Sequence, residues 1–95
     1  MLKIINIKSI SNFTITCEFN NGIEKEIDVL PLLNAHENLK GIEKLKDKNN
    51  FKNAKIGFFG EIYWENIIEN SKTNEIWNYD ISPEFVYYQN KNTTD

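Results

Sequence analysis

Polar and apolar residues alternate most regularly in residues 13–19 and 23–29, which predicts two neighbouring strands. In the first segment the apolar side chains share one face of the strand, and they are Phe13, Ile15, Cys17 and Phe19. In the second segment the apolar face is interrupted only by Lys25, and it contains Ile23, Ile27 and Val29. Residues 2–8 are apolar and β-branched enough to form a strand before these two.

The polar residues between the two strands set the register of the predicted hairpin. A two-residue loop would place Phe19 opposite Glu24 and split the apolar face. A three-residue loop pairs Phe19 with Ile23 and puts Gly22 at the left-handed position of a turn-plus-bulge loop. Its unfavourable pair, Glu18 opposite Glu24, costs at most about 1 kcal/mol. We therefore predict the three-residue loop.

Pro31 is typical of a first helical position and opens a helical region that extends to residue 47. Gly41 lies near its middle and weakens a helix by about 1 kcal/mol relative to alanine. We predict two short helices or one broken helix, with Asn49 and Asn50 leading out of the region.

The rest of the chain predicts more strands and a final helix. Residues 55–59 and 62–67 have strand character and flank a tight turn at Gly60, and residues 75–81 form a further strand after a loop at 70–74. The next residues are typical of a helix start, with Ser82 as the cap, Pro83 in first position and Glu84 near the positive end of the helix dipole.

These elements predict an α+β fold in one domain over residues 1–90, followed by a polar tail at 91–95. The fold combines a small antiparallel sheet built on the N-terminal hairpin, a short helical segment in the middle, a returning β-hairpin and a short C-terminal helix. The predicted core contains the side chains of Phe13, Ile15, Phe19, Ile27, Leu33, Leu45, Phe51 and Trp64.

Composition narrows the classes of function. The chain has 95 residues and a net charge of −3, and its basic residues are all lysine. Neither a positive field nor an arginine fork therefore favours nucleic-acid binding, although codon bias would also explain the missing arginine. The single cysteine, Cys17, leaves no internal disulfide and no multi-cysteine zinc site. Because the sequence has neither a signal-peptide pattern nor an apolar stretch of roughly 20 residues, we predict a cytoplasmic protein without membrane contact.

An ordered set of residues extends over most of the chain, from about residue 3 to residue 88. It contains Phe19, Gly22, Asp28, Leu32, Leu33, Leu45, Asp47, Phe51, Gly60, Trp64, Asp80, Ile81 and Pro83. The order and spacing of this set resemble a small bacterial family, the domain of unknown function 2442. The resemblance implies a compact α+β fold. It also suggests regulatory or toxin–antitoxin-like pairs, since many members are encoded beside other small proteins.

The chain departs from that family pattern in its C-terminal third. In the family a short turn and the aspartate usually follow the tryptophan at once, whereas here a long segment separates Trp64 from Asp80. Either this segment is an insertion, or the family tryptophan is Trp77 and the insertion comes earlier.

Cys17 and His36 are the candidate reactive groups. Cys17 lies on the apolar strand face, where a buried and inert thiol is expected. His36, the single histidine, lies in the helical region, where we expect it to be solvated or to cap a helix. The sequence contains no phosphate loop, zinc spacing or helix with paired metal ligands. We predict no catalytic residue, no bound metal and no cofactor.

The acidic strand face is the first candidate for partner binding, and it contains Glu18, Glu24, Glu26 and Asp28. Carboxylates at this spacing suit a solvated sheet face, which is the commonest case, a divalent cation or the docking of a basic partner.

Aromatic residues near the C-terminus are the second candidate, and those assigned to partner binding are Trp77, Tyr79, Tyr87 and Tyr88. Core packing accounts for part of this cluster, but tyrosine and tryptophan also dominate protein interfaces. We expect the C-terminal helix or another chain to cover Trp77 and Tyr79, and we favour another chain.

The preferred hypothesis is a non-enzymatic protein-interaction module with a regulatory or antitoxin-like role. Its partner would be another protein, either a basic one or a second copy of the chain, with no direct nucleic-acid binding and no membrane binding. The alternative is an inhibitor that docks its acidic face onto a basic groove of a nucleic-acid-handling complex. A small metal-dependent enzyme is the third hypothesis.

Overall fold

A computed structural model describes residues 1–89, which form two antiparallel sheets and several short helices. The first sheet has the order β1 (Ile4–Ser11), β2 (Thr14–Phe19) and β3 (Glu24–Asp28). The second sheet has the order β4 (Lys55–Ile56), β5 (Ile62–Asn70) and β6 (Glu75–Ile81). The predicted α+β class is confirmed, whereas the predicted polar tail at 91–95 lies outside the described residues.

The hairpin of β2 and β3 has the predicted register. Glu18 pairs with Glu24, and the Phe19 amide donates a hydrogen bond to the Ile23 carbonyl at 2.9 Å. Gly22 has a φ of 86°, the left-handed conformation that a three-residue loop requires at this position. The side chain of Ile23 is 43% exposed, so the apolar face of β3 begins only at Ile27.

The helical region is divided into three short pieces. They are α1 (Leu30–Ala35), a 3₁₀ helix (Ile42–Lys46) and α2 (Lys48–Phe51). Gly41 separates the first two because its φ is 102° and its backbone lies directly against the Ile67 carbonyl of β5. Only glycine combines that conformation with so close an approach.

Asn49 and Asn50 lie inside α2, so the prediction that they lead out of the helical region is wrong. The cause is Asp47, whose carboxylate accepts a hydrogen bond from the Asn49 amide at 2.9 Å. A capped first turn of this kind starts a helix even where asparagine has a low propensity for it.

The second sheet is shorter at its start than predicted. Only Lys55 and Ile56 of the predicted strand over residues 55–59 pair with β5, and Phe58 and Phe59 lie in the following turn. Farther along, β5 bulges where Asn66 has a φ of 59° and its amide donates to the Asn78 side chain. The bulge allows two consecutive residues, Ile67 and Ile68, to be buried.

The last helix, α3 (Pro83–Gln89), begins as predicted, because the Ser82 hydroxyl accepts a hydrogen bond from the Phe85 amide at 3.1 Å. One core joins the two sheets and the helices, and it contains all eight predicted side chains, with Phe13 partly buried. The Trp64 indole donates to the Phe51 carbonyl at 2.7 Å inside this core. None of the helices within residues 1–89 has the length and apolar character needed to cross a membrane.

Candidate functional site

The two sheets contain hairpin loops with the same backbone arrangement. We call Asn20, Asn21 and Gly22 the polar loop, and Phe58, Phe59 and Gly60 the aromatic loop. In the polar loop the Gly22 amide donates to the Phe19 carbonyl at 2.9 Å, and Gly22 has a φ of 86°. In the aromatic loop the Gly60 amide donates to the Gly57 carbonyl at 3.0 Å, and Gly60 has a φ of 81°.

The aromatic loop is held in place from two sides. On one side the Glu61 carboxylate accepts a hydrogen bond from the Phe59 amide at 3.0 Å. On the other side the Ile4 amide donates to the Gly60 carbonyl at 3.1 Å, and the Lys3 ammonium lies 5.8 Å from the centre of the Phe58 ring. The loop backbone is therefore fixed against β1 and not free to fold its side chains inward.

Both phenylalanine side chains of the aromatic loop point into solvent. Phe58 is 85% exposed and Phe59 is 62% exposed. The two rings contact each other edge to face, with 5.1 Å between their centres. Each ring therefore covers part of the other, but the remaining apolar area of both is open to water.

A groove of about 380 Å³ lies beside the aromatic loop. Its seven lining residues comprise three apolar side chains, three carboxylates and one hydroxyl, and they are Met1, Phe59, Pro83, Glu61, Asp80, Glu84 and Ser82. The pairing of Ile62 with Ile81 brings the residues that follow β6 next to those that precede β5. We call this depression the apolar–acidic groove.

The predicted acidic face on β2 and β3 exists, but most of its carboxylates have partners within the chain. Glu24 forms an ion pair with Lys8 at 3.2 Å. Glu26 accepts a hydrogen bond from the Thr16 hydroxyl at 3.4 Å, and Asp28 accepts one from the Leu30 amide at 3.2 Å. Glu18 lies next to Glu24 in the ladder. The docking of this face onto a basic partner stays a prediction.

The aromatic residues that were predicted to form one cluster lie in the core, against Phe19 and on the outer strand β6. Tyr79 is 6% exposed and belongs to the core, so we leave it out of any binding surface. Tyr87 packs edge to face on Phe19, with 5.0 Å between the ring centres. Tyr88 packs on Tyr87 and is otherwise exposed, and Trp77 is half exposed on the outer strand β6.

His36 contacts a tyrosine hydroxyl, and Cys17 is buried in the core. The Nδ1 atom of His36 lies 2.7 Å from the Tyr79 hydroxyl. Burial raises the pKa of Tyr79 to about 12, and the charge of Asp80 adds to the rise. Burial also raises the pKa of the Cys17 thiol to about 11. A thiol with so high a pKa is protonated near neutral pH and is a poor nucleophile.

Residues 1–89 contain no group of three or more His, Cys, Asp or Glu side chains arranged to hold a metal ion. The shallow depression between Gly57 and Asp80, of about 200 Å³, is lined mainly by polar residues of the outer face of the second sheet. The apolar–acidic groove differs in its larger apolar share, which combines the exposed Phe59 ring with three carboxylates.

Sequence reasoning missed Phe58 and Phe59 because they were assigned to a strand. A signal was present, since adjacent residues of a strand point to opposite faces, and two neighbouring phenylalanines both enter one core only where the strand bulges. Phe58 and Phe59 also precede Gly60 as Asn20 and Asn21 precede Gly22, and this order is compatible with a second three-residue loop.

No family model, curated protein or solved structure matches this chain.

Proposed function

We propose that this chain is a non-enzymatic protein-interaction module whose partner binds at the aromatic loop. The observation that carries the proposal is the exposure of Phe58 and Phe59 at 85% and 62% in a loop whose backbone is fixed. Exposed apolar patches of this kind mark interaction surfaces on small domains. Aromatic residues are also enriched in the cores of protein interfaces.

The loop geometry does not require aromatic side chains. The polar loop has the same hydrogen-bond pattern with asparagine at both corresponding positions. Exposed phenylalanine also lowers solubility and contributes nothing to the core of the isolated chain. Folding does not explain why these two residues are phenylalanine, whereas binding to another molecule would explain it.

The test compares partner capture by three forms of the full chain. The wild type, F58N/F59N and the control I5N/I76N are tagged, expressed in the source cells and purified with their bound proteins. The control replaces two other half-exposed apolar residues, of which Ile5 is 56% and Ile76 is 54% exposed. We expect at least one protein to be captured by the wild type and the control, and to be depleted tenfold or more by F58N/F59N. Equal capture by all three forms would refute the proposal.

A second copy of the chain is the alternative partner, favoured by Trp77, which is 51% exposed on the outer strand of its sheet. If the chain self-associates through Trp77, Trp77→Ala should leave folding nearly intact and weaken association by about 2 kcal/mol or more, the usual threshold for a hot spot. Size-exclusion chromatography with light scattering measures this directly. A single monomeric species for the wild type would remove the alternative.

Three further parts of the proposal rest on sequence reasoning. The resemblance to the domain of unknown function 2442 supports a regulatory or antitoxin-like role. The inhibitor hypothesis rests on the acidic face of β2 and β3. The cytoplasmic location rests on the single cysteine, because proteins of reducing compartments rarely use disulfides.

A further inference from the structure

We propose that the apolar–acidic groove receives a lysine or arginine side chain of the partner, next to an apolar residue that packs on the aromatic loop. The inference rests on the proposed function, because it names the chemistry of the partner segment that binds there. The partner segment is therefore basic and apolar, and not acidic or purely polar.

The apolar part of the groove fits the stem of such a side chain. Phe59 and Met1 are largely exposed, and Pro83, the first residue of α3, also lines the depression. Lysine and arginine bury their methylene stems along apolar surface while the charged head remains at a polar site. The volume of about 380 Å³ is near the lower end of the roughly 300–1,000 Å³ typical of ligand pockets.

The acidic part of the groove fits the charged head. Asp80 and Glu84 are both exposed, and neither forms an ion pair with a lysine of residues 1–89. Glu61 holds the Phe59 amide, so its charge is fixed beside the loop. Asp80 also lines the depression beside Gly57 and a third depression beside His36, so its carboxylate contributes to the lining of all three.

The contrast with the β2–β3 face supports this choice of surface. There Glu24 is neutralised by Lys8, and Glu26 and Asp28 accept hydrogen bonds from within the chain. Glu18, Glu26 and Asp28 form no ion pair within residues 1–89 either, so the groove differs from that face in the exposed apolar area beside its carboxylates. Complementary charge favours encounter and orients the partner, and the aromatic pair supplies apolar contact.

The inference can be tested with small probes and the full chain labelled with ¹⁵N. The probes are acetyl-Leu-Arg-amide and acetyl-Leu-citrulline-amide, which have nearly the same shape but differ in charge. We expect the arginine probe to cause saturable shifts of the amide signals of Phe59, Glu61, Asp80 and Glu84. The citrulline probe should bind at least fivefold more weakly.

Matched variants assign the effect to the groove. D80N/E84Q should abolish the saturable shifts, and the control E43Q/E75Q, which removes two exposed carboxylates elsewhere, should retain them. Glu84→Gln alone keeps the test valid if the double variant unfolds, because Glu84 is an exposed helix residue. Equal binding of the two probes, retention of binding by D80N/E84Q, or shifts centred on Glu24 and Glu26 would each overturn the inference.

The same variants separate this inference from the proposed function. If F58N/F59N loses the captured partner and D80N/E84Q retains it fully, the aromatic loop binds a partner but the groove does not receive its cation. If F58N/F59N retains every captured protein, the proposed function fails, whatever the arginine probe does. If both variants lose the same protein tenfold or more, both proposals are supported.

Discussion

The polar loop and the aromatic loop close two hairpins with the same backbone but carry opposite side chains. Each has a glycine with a φ between 81° and 86°. In each, the amide of this glycine donates a hydrogen bond to the carbonyl of the residue three positions before it. Asn20 uses its side chain within the chain, since it accepts a hydrogen bond from the Lys3 amide at 3.2 Å and donates one to the Met1 carbonyl at 2.7 Å. Phe58 and Phe59 instead present their rings to solvent.

The two loops share their backbone and differ in their side chains. This comparison shows which features of a loop serve folding and which are exposed to other molecules. Folding needs the glycine and a second backbone hydrogen bond that closes the loop. The Phe19 amide donates it to the Ile23 carbonyl in the polar loop, and the Gly57 amide donates it to the Glu61 carbonyl at 2.8 Å in the aromatic loop.

The loop backbone itself does not require particular side chains at the other two positions, so asparagine in one loop and phenylalanine in the other reflect different requirements. In the polar loop the Asn20 side chain bonds to the start of the chain, and the Asn21 side chain bonds to Ile23 and Tyr87. In the aromatic loop we assign the two side chains to a partner.

The largest predicted effect concerns phenylalanines near the two loops. Phe19 precedes the polar loop and is completely buried, so Phe19→Ala should reduce the free energy of unfolding by roughly 3–5 kcal/mol. Phe58→Ala in the aromatic loop should change it by no more than about 0.5 kcal/mol, as expected for an exposed position. Urea titration measures both values. A loss above 2 kcal/mol for Phe58→Ala would mean that the aromatic loop supports the core, which would contradict the proposed division.

The second prediction concerns the glycines of the two loops. A Cβ atom at Gly60 would lie 2.5 Å from the Lys3 Cβ atom, whereas one at Gly22 would have no neighbour within 4 Å. Both positions have a positive φ, which costs roughly 1–2 kcal/mol for a residue other than glycine. Gly60→Ala adds overpacking, typically about 1–3 kcal/mol, so it should destabilise clearly more than Gly22→Ala. Thermal melting of the two variants side by side tests the order.

Equal losses for the two glycine variants would show that β1 moves away from the aromatic loop at little cost. In that case the loop would not be held rigidly, and its phenylalanines could fold inward in solution. The comparison therefore also tests the fixed backbone on which the proposed function depends.

The smallest predicted effect is a loss of folding stability at alkaline pH. It involves one titrating side chain in each sheet. Burial raises the pKa of Cys17 in the first sheet from its usual 9.0 to about 11, and burial with the charge of Asp80 raises that of Tyr79 in the second sheet from 10.0 to about 12. The folded chain holds both protons more tightly than the unfolded chain. The stability linked to Cys17 is therefore complete below pH 9 and is lost towards pH 11, and that linked to Tyr79 is lost between pH 10 and about 12.

Melting temperatures from pH 8 upward measure this loss. Cys17→Ala should remove the part of the decline that begins near pH 9, and Tyr79→Phe should remove the part that begins near pH 10, where the unfolded side chains titrate. Tyr79→Phe should also lower stability at neutral pH by about 1 kcal/mol, because it breaks the hydrogen bond with His36. An unchanged pH profile in both variants would show that neither proton is linked to folding.

The first hairpin could be predicted closely because its signals are local. Alternation defined both faces, and Gly22 together with the pairing of Phe19 and Ile23 selected the loop length. The same rules failed at residues 55–59, where the run of apolar residues resembled a strand although only Lys55 and Ile56 pair. In the helical region Gly41 indicated a break, but Asp47 as a helix cap was overlooked.

The candidate site was predictable only in its general chemistry. The sequence predicts an acidic surface on β2–β3 and exposed aromatic residues near Trp77, and their role in binding stays a prediction. It does not predict the exposure of Phe58 and Phe59. Tyr79 was assigned to a partner, yet its ring packs against Trp64 and its hydroxyl bonds to His36. Periodicity shows which side of a strand a residue occupies. It does not show whether another element will cover that side.

The sequence alone determined the class of fold, the register of the first hairpin and most of the core, because alternation, glycine position and side-chain size act over a few neighbouring residues. The tertiary structure decided where exposed aromatic and acidic residues meet. The Ile4 amide bonds to Gly60, and Ile62 pairs with Ile81, so residues from both ends and the middle of the chain line one groove. Such contacts depend on how two sheets pack together, and no local pattern in the chain specifies that packing.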